Sequence, residues 1–383
     1  MSVIRVLLVI PTLDASGAEK QFALLATRLP RDRFELHVAV LTRSGPYERM
    51  IRSAGVPVTV LGKRFKADPI ACARLRRLVR QFQPQVMHTW LFAANAYGRL
   101  AVGGDGSPAI IVSERCVDSW KSGWQLWLDR KLVGRTAALV ANSESVATFY
   151  RNAGIPSEKV HVIPNGIEVP PPAVADRSSV LAELGLPRDA KIVASIGRLA
   201  KQKRVDVLVW AMQLLRQLTN NVYHLIVGDG PQRGSLERLA KHFTCDDVTR
   251  FLGHRSDVSR LLSCVDVFWL ASDFEGQSNS VMEAMAAGLP VIASDIPANR
   301  ELIENGRTGY LVRPGDSVAF AQYADRLLVD RELAGRFGEA ARRHLAEHHS
   351  VDAMVNGYAA LYESFAKQSR GRQGASGTPR EAF

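Results

Sequence analysis

No apolar run in this chain approaches the ~20 residues that a membrane span requires; the longest, such as Val6 to Pro11, end within a few residues, and Arg5 interrupts the start. No signal peptide is expected, because the first apolar stretch runs into a turn and carries neither a basic head nor a small-residue cleavage site. Cysteine is scarce. Cys72, Cys116, Cys245 and Cys264 lie far apart and form no CxxC pair, which excludes a disulfide scaffold and leaves inert thiols in a reducing cytoplasm as the expectation. The dinucleotide fingerprint Gly-x-Gly-x-x-Gly is missing after the first strand, and the later glycines Gly228, Gly230 and Gly234 are spaced Gly-x-Gly-x-x-x-Gly, which reads as a turn lining a cleft. No His, Cys and Asp residues cluster at metal-ligand spacing, and His348 and His349 sit together in a terminal helical stretch, so no metal is expected.

What is present is ordinary soluble composition, 46% hydrophobic and 23% charged, in 383 residues, a length at which one core gives way to two. The net charge of +11 is unevenly placed. Residues 1–168 hold 23 Lys and Arg against 13 Asp and Glu, and the remainder 26 against 25, so the basicity belongs to the first half. Such a field suits an anionic partner: lipid headgroups, a lipid-linked phosphate or nucleic acid. Nucleic acid is set aside, because the aromatic residues form no stacking platform beside the charge. Trp120, Trp124 and Trp127 alternate with Lys121, Arg130 and Lys131, and RLRRLVRQF adds Arg74, Arg76, Arg77 and Arg80. These suit an anionic membrane surface, with packing of the tryptophans inside a domain as the alternative.

Strand-like runs alternate with helix-length segments from RVLLVI to KVHVIP, and again from KIVASI to LPVIASD. The expected fold is therefore α/β, two doubly wound Rossmann-like domains facing across a cleft. VIPNGIEVPPP, with its Asn-Gly and triple proline, reads as the connector. The expected domains are 1–169 and 170–349, followed by a helix over 350–366 that docks on the first domain and a disordered tail over 367–383.

In such sheets ligands bind beyond the carboxyl ends of the strands. Glu275 follows the strand DVFWLAS; Gly276, Gln277, Ser278, Asn279 and Ser280 lead into a helix that one of the last three caps, and Glu283 falls in or near its first turn. Small residues and a helix N-terminus favour an anion or sugar hydroxyls, and two carboxylates cannot both serve a diphosphate. GRLAKQKR places Arg198 and Lys203 after the strand KIVASI, where cations near a helix start suit phosphate. Gly17 opens the first helix, and His88 is taken to end the strand QVMHTW facing the cleft, although a buried, satisfied histidine is the more common state of such a residue.

Taken together, SGAEKQ, MHTW, VANSES, VIPNGIEV, SIGRLAKQKR, IVGDGP, FLGHRSDV and EGQSNSVMEAMAAGLPVIASD resemble the family-4 retaining glycosyltransferases of the GT-B fold, over nearly the whole chain. The resemblance implies that Arg198 and Lys203 hold the donor diphosphate, that Glu283 binds the ribose, and that Glu275 with the amides of Gly276 to Ser280 orients the donor sugar. It further implies that Gly17 contacts phosphate, that His88 faces the transferred sugar, and that His254 and Arg255 border the base. Two positions depart from the family pattern: Arg204 stands where glycine usually follows the lysine, and Ser16-Gly17 replaces a double glycine.

The expected activity is hexosyl transfer, with retained configuration and without metal or cofactor, from a nucleotide diphosphate sugar, a UDP-sugar by preference. The acceptor is a lipid-linked or saccharide hydroxyl in cell-surface polysaccharide or glycolipid synthesis, and the protein is cytoplasmic, peripheral on the inner face of the membrane. A nucleotide-sugar epimerase, or a nonenzymatic nucleotide or anionic-lipid binding module, is the rival reading.

Overall fold

A computed structural model describes residues 3–102, 107–117, 121–169 and 177–375, with side chains to 367. The chain forms two compact units, residues 1–166 with 351–383, and residues 167–350.

The first unit holds a parallel sheet in the order β3-β2-β1-β4-β5-β6-β7. Its strands are β1 (Ile4–Thr12), β2 (Phe34–Arg43), β3 (Val58–Val60), β4 (Val86–Trp90), β5 (Ala109–Glu114), β6 (Ala138–Ala141) and β7 (Val160–Val162). The unbroken apolar run of β1 follows from burial on both faces. Val6, Leu8 and Ile10 pack with Phe22 and Leu25 of the helix Gly17–Arg28, while Leu7 and Val9 pack with Leu75 and Leu78 of the helix Pro69–Phe82. Each fully buried leucine or isoleucine contributes about 1.5–3 kcal/mol.

The helix Val351–Ala375 belongs to this unit and packs against the helix Gly17–Arg28 and β1, β4 and β5. Tyr358 and Tyr362 are both fully buried. The stretch from 367, expected to be disordered, continues this helix to Ala375, and 376–383 lie outside the described residues.

The second unit holds a parallel sheet in the order β10-β9-β8-β11-β12-β13. Its strands are β8 (Lys191–Ile196), β9 (Val222–Val227), β10 (Thr249–Gly253), β11 (Val267–Leu270), β12 (Val291–Ser294) and β13 (Gly309–Val312). Ile192 and Ala194 face Met282, Met285 and Leu345, whereas Val193 faces Leu208, Met212 and Phe320. Helices thus cover both faces here too, and the strand order reverses direction between β8 and β11.

The tryptophan-rich stretch divides. Trp120 lies outside the described residues, and Trp124 and Trp127 are exposed on the helix Gly123–Lys131 beside exposed Arg130 and Lys131. Lys121, grouped with them as a surface cation, is instead buried: its Nζ bonds Glu114 Oε1 at 3.0 Å, Asp129 Oδ2 at 3.2 Å and the Tyr150 hydroxyl at 2.6 Å. Among the described residues no helix is long and apolar enough to cross a membrane.

His224, on β9, is fully buried with Nδ1 unpartnered, and burial pushes its pKa down to about 3. His349 is pushed down to about 4, by burial first and then by His344 and His348. Unfolded histidine titrates near 6.5, so between that value and the folded one the unfolded chain binds more protons. The stabilisation is fully present above pH 6.5 and is lost as the pH falls through this window. Urea unfolding at pH 5 should give a stability about 2–4 kcal/mol below that at pH 7; an unchanged midpoint would contradict the buried, neutral state of these rings.

Candidate active site

The turning point of the second sheet gathers most of the expected residues. The loop after β8 carries Arg198 and Lys203, and the loop after the neighbouring strand β11 carries Glu275. Sheet adjacency brings the two loops together, and hydrogen bonds stitch them. Gln202 Nε2 donates to the Phe274 carbonyl at 2.8 Å, and the Asp273 amide donates to the Gln202 carbonyl at 2.9 Å. Lys203 Nζ then reaches Glu275 Oε1 at 2.5 Å, and the same oxygen accepts from Ser272 Oγ at 2.6 Å.

The two cations differ in state. The Lys203 side chain is 19% exposed and that of Glu275 9%, so the pair is largely withdrawn from water. Arg198 is exposed and makes no ion pair among the described residues. A small recess under the loop is lined by Ser195, Arg198, Lys203, Leu208, Trp269 and Ala271. The arrangement offers a fixed ammonium, an available guanidinium and a carboxylate oriented by two donors. That set can hold a diphosphate at one end and sugar hydroxyls at the other.

Gly276, Gln277, Ser278, Asn279 and Ser280 run from Glu275 into the helix Asn279–Ala286. Ser278 occupies the N-cap position, but its own side chain makes no capping bond; its Oγ pairs with Ser280 Oγ at 3.2 Å instead. The backbone amides at a helix start suit an anion or hydroxyl oxygens. Glu283 is the fifth residue of the helix, just past its first turn.

Three contacts that support the site are not encoded in the local sequence. The Gly228 to Gly234 stretch buttresses the loop that carries Arg198: a Cβ on Gly228 would lie 2.0 Å from the Gly197 carbonyl oxygen, and one on Gly230 2.5 Å from that of Leu199. A Cβ on Gly338 would lie 1.9 Å from the Gly288 carbonyl oxygen, so the helix Arg331–His348 seats itself on the turn that ends the helix Asn279–Ala286. His349, read only as half of a terminal His-His pair, reaches Gln277, with Nδ1 and Nε2 3.3 Å apart.

His88 requires correction. Strand β4 continues two residues past it to Trp90, so His88 lies within the strand and not at its end. It is fully buried, with Nδ1 2.6 Å from the Tyr362 hydroxyl and Nε2 2.8 Å from Ser113 Oγ. Burial, with the Arg115 charge second, holds it well below the ordinary histidine range. Both nitrogens are engaged, which leaves no ring atom for a sugar. Gly17 is the first residue of its helix, in the first unit. His254 is exposed after β10, but Arg255 is held by Asp257 at 2.7 Å and Glu183 at 2.9 Å, so its guanidinium serves the scaffold.

Arg204, where family members usually carry glycine, adopts φ +44° immediately before the helix Val205–Leu218. Its strain is offset by Asp206 and Asp273, each at 3.2 Å. Glycine and alanine at 204 both remove these ion pairs, and only glycine relieves the left-handed backbone. Arg204→Gly should therefore be about 1 kcal/mol more stable than Arg204→Ala in urea unfolding; equal midpoints would contradict the strain.

A two-domain, doubly wound chain with this loop pair at the switch point defines the GT-B class. The model of the Glycosyltransferase Family 4 matches residues 15–169, and that of Glycosyl transferases group 1 matches residues 176–344. The chain belongs to the family-4 glycosyltransferases. It is 31% identical over 208 residues to N-acetyl-alpha-D-glucosaminyl L-malate synthase of Bacillus anthracis, a match spanning 54% of this chain and about half, 54%, of that relative's length. To the Escherichia coli UDP-Gal:alpha-D-GlcNAc-diphosphoundecaprenol alpha-1,3-galactosyltransferase it is 27% identical, over 80% of this chain and 83% of the relative. The crystal structure of Anabaena HepE in complex with UDP-glucose has the same fold, with a TM-score of 0.85 at 22% identity, over 94% of this chain and all of that one.

Proposed function

We propose that this protein moves a hexosyl group from a nucleotide diphosphate sugar, a UDP-sugar by preference, to an acceptor hydroxyl with retained configuration and without a metal. The observation that carries this reading is the junction of Lys203 and Glu275, with Arg198 beside it, at the turning point of the second sheet. Lys203 and Arg198 bind the diphosphate and neutralise the charge that grows on it as the glycosidic bond breaks, so they act on the barrier itself. Glu275, with the amides of Gly276 to Ser280, orients the sugar, Glu283 binds the ribose and His254 borders the base. Gly17 supplies an amide to phosphate. A front-face route, in which the departing phosphate takes the acceptor proton, needs no side-chain nucleophile; Glu275 is the nearest carboxylate for the alternative.

The UDP-glucose bound by HepE and the UDP-galactose donor of the E. coli enzyme support the preference for UDP. The latter's diphosphoundecaprenol-linked acceptor also supports a lipid-linked acceptor in cell-surface polysaccharide or glycolipid synthesis. The basic first half and the exposed Trp124 and Trp127 favour a cytoplasmic protein that docks peripherally on an anionic membrane.

The test is a thermal-shift panel of UDP-, GDP- and ADP-sugars, followed by anomeric analysis of the product by NMR with and without EDTA. A ligand at 100 times its dissociation constant stabilises by about 2.7 kcal/mol. A shift with a UDP-sugar, retained configuration and EDTA resistance are expected; no shift with any sugar nucleotide, an inverted product or loss of activity in EDTA would overturn the corresponding part.

A further inference from the structure

Arg115 is a buried cation without a carboxylate. It follows directly on β5 and is 9% exposed. Its guanidinium donates to the Tyr358 hydroxyl at 3.1 Å and to Asn165 Oδ1, and it lies 4.4 Å over the Trp90 ring. All three partners are neutral, and among the described residues no acidic group lies within ion-pair distance.

The same sheet shows how this chain otherwise treats buried charge. On the other side of β5, Lys121 and Arg99 are matched by Glu114 and Asp129, with Arg99 Nη2 2.5 Å from Asp129 Oδ1. Two cations there meet two anions. Glu114 and Arg115 are neighbours in an extended chain, so their side chains leave on opposite faces, and Glu114 cannot neutralise Arg115. An isolated ion withdrawn from water is unfavourable unless something completes it.

The position indicates what completes it. Trp90 ends β4, Arg115 follows β5, Asn142 follows β6 and Asn165 follows β7, so the group stands at the carboxyl edge of the first sheet, where doubly wound sheets take their ligands. Asn142 adds a second unfilled valence: its Nδ2 donates to the Arg115 carbonyl at 3.2 Å, while its buried Oδ1 has no partner. A planar guanidinium held over an indole by two further hydrogen bonds presents a fixed fork, which matches phosphate or carboxylate oxygens. An adjacent amide oxygen accepts from a hydroxyl.

We infer that Arg115 is an oxyanion-recognition group for the acceptor, binding a phosphate or carboxylate that the acceptor carries, with Asn142 receiving a neighbouring hydroxyl. This rests on the glycosyltransferase reading above and deepens it, by making the acceptor anionic and placing its charge in the first unit.

The test uses the full chain saturated with UDP, which fills the diphosphate site of the second unit and leaves the first to be read. Inorganic phosphate and acetate are then titrated at constant ionic strength, by thermal shift and calorimetry, into the wild type and Arg115→Gln. Binding at least tenfold weaker in the variant, with UDP affinity unchanged, is expected. A response to phosphate identifies a phosphate-bearing acceptor, and a response to acetate a carboxylate-bearing one. Equal titration of wild type and variant, or no response to either anion, overturns the inference. Should Arg115→Gln fail to fold, hydrogen exchange in the wild type decides: phosphate or acetate should protect residues 109–117 and 351–366, and an unchanged pattern there overturns it. Failure to bind UDP would instead strike the donor-site reading, and the same titrations in an Arg198→Ala, Lys203→Ala background then read the first unit separately.

Discussion

Alanine at Arg198 or at Lys203 is expected to lower turnover by about 10²–10³-fold, the loss typical of one preorganised electrostatic group. The two variants should differ in everything else. Arg198 is exposed and unpaired among the described residues, so its removal should leave unfolding within about 0.5 kcal/mol of the wild type. Lys203 is joined to Glu275, and removing it leaves a carboxylate whose side chain is only 9% exposed, with Ser272 its one remaining side-chain partner among the described residues. Breaking a fully buried pair from one side costs about 3–5 kcal/mol; with Lys203 still partly in water, about 1–3 kcal/mol is expected here. Replacing both ends, as in Lys203→Met with Glu275→Gln, should restore most of that stability and none of the turnover. Urea unfolding with steady-state kinetics checks all three. A raised Michaelis constant at unchanged turnover, or a double variant that recovers activity, would remove these side chains from the chemistry.

Gly228→Ala should be the most disruptive single methyl in the second unit. The residue has φ +127°, and its new Cβ would meet backbone, the Gly197 carbonyl oxygen at 2.0 Å, not a side chain able to turn away. The Gly228 amide also donates to the Gly253 carbonyl at 2.7 Å, so the strand end is held from the other side and cannot yield freely. Backbone strain and overpacking together predict a loss of about 2–4 kcal/mol. Because the displaced backbone carries Arg198, weaker donor affinity should accompany the loss of stability. A variant as stable as the wild type would show that the loop carrying Arg198 does not lean on this turn. A destabilised variant with full affinity for UDP would show that the loop leans on it without being positioned by it.

Much of the site was legible because it is local. Glu275, the helix start at Ser278 and the loop from Arg198 to Lys203 each follow a strand within a few residues, and alternating apolar segments locate strand ends. What joins these pieces is not local. The pairing of Lys203 with Glu275 spans 72 residues and depends on β8 and β11 being neighbours, which apolar patterning does not encode. His88 was misplaced for the same kind of reason. Its strand runs on to Trp90, and the tyrosine that occupies its Nδ1 arrives from a helix 274 residues later. Lys121 looked like a surface cation among tryptophans because its two carboxylates and its tyrosine come from three other elements. Composition records how many charges a segment has; burial depends on which strands lie beside it.

On the proposed reading, the turning point between β8 and β11 holds the donor diphosphate. A crystal structure with an intact UDP-sugar tests it most directly. The diphosphate oxygens should lie within about 3 Å of Lys203 Nζ and the Arg198 guanidinium, with Lys203 drawn from Glu275 and the freed carboxylate facing a sugar hydroxyl. Diphosphate bound elsewhere, with the bond between Lys203 and Glu275 intact, would contradict the account.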